Sequence, residues 1–245
     1  MAVKPQLARF EALGAEGWGV LADVVAHAQR VGLLVIADGK RGDIDVTASA
    51  YASALMGGME TPFGHVDGLG ANMVTVNPLM GADAIAPFVE AARRSGAGVL
   101  VLVRTSNPGA ADFEDLEVSG SSSGTVWERI AEMVEELGSA NVGEQGLSDV
   151  GAVVGATVPA HLARARELMS TATFLLPGIG AQGGRVEDLA PAFAPGRAGG
   201  LISASRSIAG AYRSAGGEPA SAARAEAERL REAAWGLSEQ ILTAG

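Results

Sequence analysis

Short, largely apolar runs recur along the chain, and they constrain its fold more than any other feature. A run without polar alternation is typical of a strand that is buried on both faces of a parallel sheet. The runs cover residues 33–37, 73–76, 99–103, 152–154, 174–176 and 201–202. The pattern therefore predicts parallel strands that other elements cover on both faces.

Between these runs, apolar residues recur at the i, i+3, i+4, i+7 spacing of amphipathic helices. Residues 21–28 show this spacing, and Gly32 is the expected stop. The other stripes cover residues 48–55, 85–92, 126–137 and 223–241. Repeated strand–helix units leave two folds open, a doubly wound sheet and a (β/α)8 barrel. Because no composition shift or long linker interrupts the pattern, we predict one domain over residues 1–245.

Composition and charge exclude several classes of protein. The net charge of −10 argues against a general binder of nucleic acid or anionic membranes, although a local cationic pocket could still bind an anion. The absence of cysteine excludes disulfides and thiolate metal sites, and it fits a reducing cytoplasm. No apolar run approaches the ~20 residues of a membrane span. The N-terminal residues lack the apolar segment of a signal peptide. We therefore expect a cytoplasmic protein without a membrane or nucleic-acid partner.

Lysine is scarce in this chain. Of 18 basic residues, only Lys4 and Lys40 are lysines. A GC-rich genome could explain the arginine bias on the surface, but it does not explain why two lysines persist. A lysine ammonium can have its pKa tuned and can donate a proton, whereas arginine cannot release its proton near neutral pH. We therefore predict that both lysines take part in chemistry.

Lys40 lies between Asp38 and Asp43, directly after the run at residues 33–37. The carboxyl ends of parallel strands face the mouth at which barrel active sites lie. Asp38 and Lys40 are two residues apart, so both side chains point the same way while the chain stays extended. An ordinary surface ion pair is the alternative, but the strand-end position and the scarcity of lysine favour a catalytic cluster.

A glycine-rich segment at residues 177–184 follows the run at 174–176, and Arg206 follows the next run. Glycines let backbone N–H groups approach an anion closely, and arginine can bind a phosphate through two parallel hydrogen bonds. Loops after consecutive late strands form the usual phosphate site of barrels. The expected phosphate-binding residues are Gly180, Gln182, Gly183 and Arg206.

Ser106 and Asn107 follow the run at residues 99–103 and offer hydrogen bonds at the same predicted mouth. The segment from 107 to 124 is a long loop, acidic and then rich in glycine and serine. Composition alone leaves open whether it is a disordered surface loop or a lid over the substrate. The three histidines lack metal-ligand spacing, so no metal site is predicted.

Taken together, these segments resemble the orotidine 5′-phosphate decarboxylases. The match covers nearly the whole chain, in order and spacing. It rests on Lys4 in Val3-Lys4-Pro5-Gln6, the Asp38-x-Lys40-x-x-Asp43-Ile44 signature, Thr105-Ser106-Asn107-Pro108, and Gly180-Ala181-Gln182-Gly183-Gly184 with Arg206. The Lys-Pro-Gln and Lys-Arg-Gly-Asp-Ile forms are similar to a bacterial subgroup of longer chains. The Asp-x-Lys-x-x-Asp core also occurs in a wider decarboxylase superfamily.

The resemblance implies a TIM-type (β/α)8 barrel that converts orotidine 5′-monophosphate to UMP, the last step of de novo pyrimidine biosynthesis, without cofactor or metal. It implies an alternating array of Lys4, Asp38, Lys40 and Asp43. Asp43 and Thr47 would enter the active site of the neighbouring subunit of a homodimer. Ser106 would read the pyrimidine ring, with Asn107 beside it. Gln182 and Arg206 would hold the phosphate.

Members of the family begin with a strand that carries a ribose-binding aspartate, followed by a helix. Only three residues precede Lys4 here. Counting residues 3–4 as a strand gives seven βα units, so we expect a barrel of the (β/α)8 type that lacks the first unit in this chain. An upstream start, a truncation or a different closure of the barrel would each account for this count.

Two alternatives to the decarboxylase of orotidine monophosphate stay open from the sequence. One is a Mg²⁺-dependent sugar-phosphate decarboxylase of the same superfamily. The other is an inactive, truncated chain that binds the nucleotide without turning it over. The Lys4 motif and residues 105–108 favour the nucleotide enzyme over the sugar-phosphate enzyme.

Overall fold

The computed structural model describes residues 1–119, 124–180 and 183–244 of the chain. These residues form two compact units. The first comprises Met1–Leu102 with Asp149–Gly151, and the second comprises Val103–Ser148 with Ala152–Gly245. The single domain over residues 1–245 stays a prediction.

The first unit is built from parallel strands with helices between them. Its strands are β1 (Ala2–Val3), β2 (Leu34–Arg41), β3 (Met59–Thr61), β4 (Gly64–Val66), β5 (Met73–Val76) and β6 (Gly98–Arg104, which runs on into the second unit). Its helices are α1 (Leu7–Glu11), α2 (Gly14–Arg30), α3 (Asp45–Leu55) and α4 (Ala82–Ser95). β1 pairs with β2, β2 with β5, and β5 with β6, all in parallel.

The amphipathic stripes of the first unit explain its packing. Leu21 of α2, Leu55 of α3 and Phe88 of α4 are almost fully buried, as the spacing predicts for the inward face of each helix. Gly96 ends α4 in the left-handed conformation, with φ of 65°. The helices thereby cover the strands and leave their carboxyl ends to the loops.

The second unit also has parallel strands. Its remaining strands are β7 (Glu117–Val118), β8 (Gly124–Thr125), β9 (Val150–Val154, which begins in the first unit), β10 (Phe174–Pro177) and β11 (Gly200–Ser203). Its α-helices are α5 (Val126–Ser139), α6 (Pro159–Leu168), α7 (Arg206–Ala209), α8 (Tyr212–Ala215) and α9 (Pro219–Ala244), and its 3-10 helices cover Pro108–Asp112, Val186–Phe193 and Arg197–Gly199. β10 pairs in parallel with β9 and with β11.

The predicted strands agree closely with the observed ones. Each of the six apolar runs coincides with one observed strand, namely β2, β5, β6, β9, β10 or β11, to within two residues at its start. The seventh predicted strand, at residues 3–4, overlaps β1. The five predicted helical stripes lie within α2, α3, α4, α5 and α9. The helices α1, α7 and α8 are too short, at five, four and four residues, to show a periodicity, and they were not predicted; the ten-residue α6 was not predicted either.

The segments at residues 57–70 and 107–119 both contain regular secondary structure. Residues 57–70 contain an antiparallel hairpin of β3 and β4. The segment after Asn107 forms a 3-10 helix and then β7, which pairs antiparallel with β8. The disordered interpretation is therefore wrong for residues 107–119, while the lid interpretation stays untested. Within the described part of the chain, no helix has both the length and the apolarity needed to cross a membrane.

Candidate active site

Two lysines and one buried aspartate form a cluster in the first unit. The Asp38 side chain is only 5% exposed, and its two oxygens bind different ammonium groups. Lys4 Nζ donates to Oδ2, and Lys40 Nζ lies 2.5 Å from Oδ1. The bridge between Gln6 and Asp38, with Asp38 N donating to Pro5 O at 3.1 Å, holds the segment after β1 against β2. The structure thus brings together three of the four predicted catalytic residues.

Thr75 completes this cluster and was not predicted. Its fully buried hydroxyl donates to Asp38 Oδ1 at 3.1 Å and accepts the backbone N–H of Lys40 at 2.9 Å. One residue therefore positions both the carboxylate and the backbone of Lys40. The sequence feature that could have indicated Thr75 is its polar side chain within the apolar run of β5, because a buried hydroxyl needs a specific hydrogen-bond partner.

The backbone at Lys40 is not extended, so the expected reason for its orientation is wrong. Lys40 has φ of 47°, in the left-handed region that non-glycine residues rarely adopt. The register between β2 and β5 shifts between Ala37 and Arg41, which is a bulge. With this bulge, the Lys40 side chain lies against Asp38. In a regular extended strand, the two side chains would share a face without any left-handed residue. Backbone strain of this kind is frequent at functional sites.

The charges around Asp38 determine its ionisation. Burial by itself would raise the pKa of Asp38, but hydrogen bonds and charge attraction from Lys4 and Lys40 outweigh it and hold the pKa below its ordinary value of 3.8. Asp38 is therefore a carboxylate at neutral pH. The cluster presents one buried anion and two cations, of which Lys40 is the more exposed, at 41% against 19% for Lys4. A negative charge that develops beside Lys40 would be stabilised electrostatically.

Asp43 and Thr47 lie apart from this cluster. Asp43 accepts the backbone N–H of Ile44 at 2.8 Å, and Thr47 is exposed near the start of α3. Among the described residues, no hydrogen bond or ion pair joins Asp43 to Asp38 or Lys40. The fourth predicted catalytic residue is thus not brought into the array by its own chain.

In the second unit, Ser106 and Asn107 line a cavity of about 210 Å³. They lie at the end of β6, as predicted. The wall of the cavity also includes Arg104, Thr105, Pro108, Gly155, Thr157, Val158 and His161. The cavity is of a size to accept part of a small ligand, and its wall offers hydroxyl, amide and imidazole groups.

The predicted phosphate loop of the second unit is a tight glycine turn. Gly180 and Gly183 have φ of 75° and 91°, and Gly183 N donates to Gly180 O at 2.9 Å. A Cβ atom at Gly180 would lie 3.7 Å from Ser207 Cβ, so the loop is adjacent to the residue that follows Arg206. Arg206 is exposed at the start of α7. Gln182 lies outside the described residues.

No group of three or more acidic or histidine side chains that could hold a metal ion occurs within residues 1–119, 124–180 and 183–244. His161 instead lies against the Trp127 ring, with 5.7 Å between ring centroids.

Parallel strands alternating with helices define an α/β protein, and the charged side chains at the carboxyl ends of its strands occupy the place where such folds carry active sites. Comparison with known proteins specifies the class further. Residues 1–225 match the Orotidine 5'-phosphate decarboxylase / HUMPS family. An orotidine 5'-phosphate decarboxylase of Deinococcus radiodurans is 47% identical over 235 residues, covering 94% of this chain and 77% of that protein. The chain therefore belongs to the orotidine 5'-phosphate decarboxylase / HUMPS family.

Two solved structures extend the comparison to the fold. A putative orotidine 5'-phosphate decarboxylase from Streptomyces avermitilis has a TM-score of 0.79 and 34% identity, over 96% of this chain and 76% of that one. The UMP synthase of Leishmania donovani has a TM-score of 0.71 and 38% identity, and the match covers 95% of this chain but 46% of that protein. The predicted α/β fold of the (β/α)8 barrel type is confirmed by these matches.

Proposed function

We propose that the protein removes CO2 from orotidine 5′-monophosphate to give UMP, without a cofactor. The observation that carries this proposal is the Lys4–Asp38–Lys40 cluster, which reproduces three members of the array that the family resemblance implies. Close relatives named orotidine 5'-phosphate decarboxylase support the same reaction.

The charges of the cluster suit this chemistry. Departure of CO2 from C6 of the orotate ring leaves a carbanion with no ordinary electron sink. The Lys40 ammonium stabilises this developing charge and then donates a proton to C6. The Asp38 carboxylate disfavours the ground state by repelling the substrate carboxylate.

Phosphate recognition is assigned to the second unit. Arg206, at the start of α7 beside the glycine turn, supplies a guanidinium for which no carboxylate partner occurs among the described residues. Gln182 belongs to the same proposed set. Binding energy from a phosphate that is remote from the reacting carbon can support positioning at that carbon. Ser106 and Asn107 are proposed to contact the pyrimidine ring.

The spectroscopic loss of orotidine monophosphate, with and without a chelator, tests this function. We expect turnover that a chelator leaves unchanged. Turnover only of a sugar phosphate, abolished by the chelator and restored by Mg²⁺, would instead establish the second activity considered from the sequence. Tight UMP binding without any turnover would establish a non-catalytic nucleotide-binding protein.

We further propose that the active enzyme is a homodimer in which Asp43 and Thr47 complete the partner's site. Two observations support this. Asp43 is not joined to the cluster of its own chain, and the neighbouring apolar residues Ile44 and Val46 are 57% and 75% exposed. A partner subunit bound at this position would cover both apolar side chains.

A cytoplasmic location is proposed from the absence of cysteine and from the pathway that the reaction serves. Cell fractionation followed by immunodetection tests it. Recovery of the protein in the soluble cytoplasmic fraction is expected, and recovery in a membrane or secreted fraction would contradict it.

A further inference from the structure

We infer that Glu114 is a positioning residue that holds Thr105, Ser106 and Asn107 in the conformation needed to read the pyrimidine ring. The inference rests on the proposed function, since it concerns how the proposed ring-contacting residues are held. Glu114 lies in the acidic part of the long loop, and nothing in the sequence motifs singled it out.

Glu114 binds the backbone and the side chain of Thr105 at the same time. Its Oε2 accepts the Thr105 N–H at 2.9 Å, and its Oε1 lies 2.9 Å from Thr105 Oγ1. The same hydroxyl lies 2.7 Å from Asn107 Oδ1. The two Glu114 oxygens therefore fix the peptide plane that joins Arg104 to Thr105, and they fix the Thr105 side chain, which lies beside Asn107.

Arg104 anchors the acidic segment to the end of β6. Its guanidinium binds Asp115 through two bonds, from Nε at 2.8 Å and from Nη2 at 2.9 Å, and Nη1 also reaches Glu114 Oε2 at 3.4 Å. The Arg104 side chain is only 12% exposed and Glu114 only 20%, so water screens these pairs less than it screens surface pairs. The paired acids Glu114 and Asp115 therefore stay beside the strand end.

Ser106 is confined on another side by Gly155. A Cβ atom at Gly155 would lie 3.0 Å from Ser106 Cα and 3.1 Å from Ser106 Cβ, so the serine packs directly on the glycine backbone. Gly155 N in turn donates to Arg104 O at 2.7 Å. With Gly155 on one side and Glu114 bonded to Thr105, the segment has little freedom to change conformation.

The function of Glu114 is therefore to preorganise a segment, which lowers the cost of ordering it when the ring binds. Loss of a residue with this function weakens the binding of the pyrimidine ring and leaves the binding of the phosphate unchanged. This distinction separates positioning from a general contribution to folding, which would weaken both.

The test compares Glu114→Ala and Glu114→Gln with wild type and with Glu117→Gln, an exposed glutamate of the same segment. Calorimetry measures the dissociation constants of UMP and of D-ribose 5-phosphate. For Glu114→Ala we expect binding of UMP to weaken about tenfold, the loss typical of a charge-assisted hydrogen bond, with ribose 5-phosphate within about twofold. Glu114→Gln keeps one acceptor oxygen, so its dissociation constant for UMP should lie between those of wild type and Glu114→Ala. Glu117→Gln should bind UMP as tightly as wild type does.

Unchanged UMP binding in Glu114→Ala, or equal losses for both ligands, would overturn the inference. If Glu114→Ala does not fold, Thr105→Val replaces it, because this change removes only the hydroxyl contacts. It should weaken UMP binding about threefold relative to wild type, and no loss would overturn the inference. Wild-type turnover of orotidine monophosphate is measured in parallel, so failure of the proposed reaction is seen separately from failure of the positioning.

Discussion

At the scale of single residues, Asp38 determines the electrostatics of the first unit. One almost fully buried carboxylate is bound by Lys4, Lys40 and Thr75. Removal of one member of such a set leaves the others without a counter-charge in a partly desolvated place, which costs more than the pair contributes when intact. The ionised state of Asp38 is therefore tied both to stability and to the positions of the two lysines.

Asp38→Asn is expected to lower the free energy of unfolding at pH 7 by about 2–4 kcal/mol and to abolish turnover. Because the pKa of Asp38 is lowered in the folded protein, its stabilising contribution is complete above its unfolded value and is lost as pH falls through the folded value. Urea unfolding of both proteins from pH 8 to 2 should show a difference that is constant near neutrality and shrinks in acid. The exposed Asp23→Asn is the control, and a difference independent of pH would contradict this account.

Gly155→Ala tests the packing of Ser106 without changing any polar group. The added methyl must displace Ser106, whose Cα would lie 3.0 Å away. We expect KM for orotidine monophosphate to rise about fivefold or more, by analogy with overpacking costs of about 1–3 kcal/mol. Gly236→Ala is the matched control, since its added Cβ meets no atom within 4 Å, and it should retain the wild-type KM. An unchanged KM in Gly155→Ala would show that Ser106 does not need this position.

At the scale of elements, Arg166 connects α6 to the segments that follow it in the second unit. Its guanidinium donates to the carbonyl oxygens of Met169, Ala172, Ala192 and Gly199 at 2.7–3.2 Å. Burial lowers the pKa of Arg166 to about 10, so it is still charged at neutral pH. One buried side chain thus satisfies carbonyl groups from several turns.

Arg166→Met should destabilise the protein by about 3 kcal/mol or more, because it leaves buried carbonyl oxygens without donors. Arg164→Met, two residues earlier, removes only solvent-screened ion pairs to Glu128 and Glu167 and should destabilise the protein much less. Thermal and urea unfolding of the two variants measure the difference. Equal stability losses would be inconsistent with the structural role of Arg166.

The elements that sequence reasoning predicted are those with a local signal. The buried runs of β2, β5 and β10 have no polar alternation, and α2 and α4 carry clear apolar stripes. The hairpin of β3 and β4 was missed because nearly all of its residues are exposed and its sequence shows no apolar alternation.

The site was only partly predictable for the same reason. Lys4, Asp38 and Lys40 stand out by residue type and by position at strand ends. Thr75 and Glu114 act through contacts with residues that are distant in sequence or across a turn, and no local pattern reports such contacts. The left-handed backbone conformation of Lys40 occurs where the pairing of β2 with β5 shifts register, so residue spacing along β2 alone could not predict it.

At the scale of the whole molecule, a dimer with shared active sites can be distinguished from a protein whose active site lies within one chain, because mixing two inactive variants should restore activity only in the dimer. Lys40→Ala and Asp43→Ala should each be inactive alone. Random exchange of subunits after mixing would give hybrid dimers with one complete site each, and about one quarter of the wild-type activity. Mixing and controlled refolding, followed by an assay, measures this recovery. No recovery, despite hybrid dimers detected by mass, would contradict the sharing of sites.

The central claim is that Lys40 acts on the carbon that loses CO2. The most direct measurement is the conversion of orotidine monophosphate to UMP by Lys40→Ala, together with the dissociation constant of UMP for the same variant. Loss of the group that stabilises the carbanion and donates the proton should lower kcat by at least about a thousandfold, while UMP binding changes little. Near-wild-type production of UMP by Lys40→Ala would contradict the account.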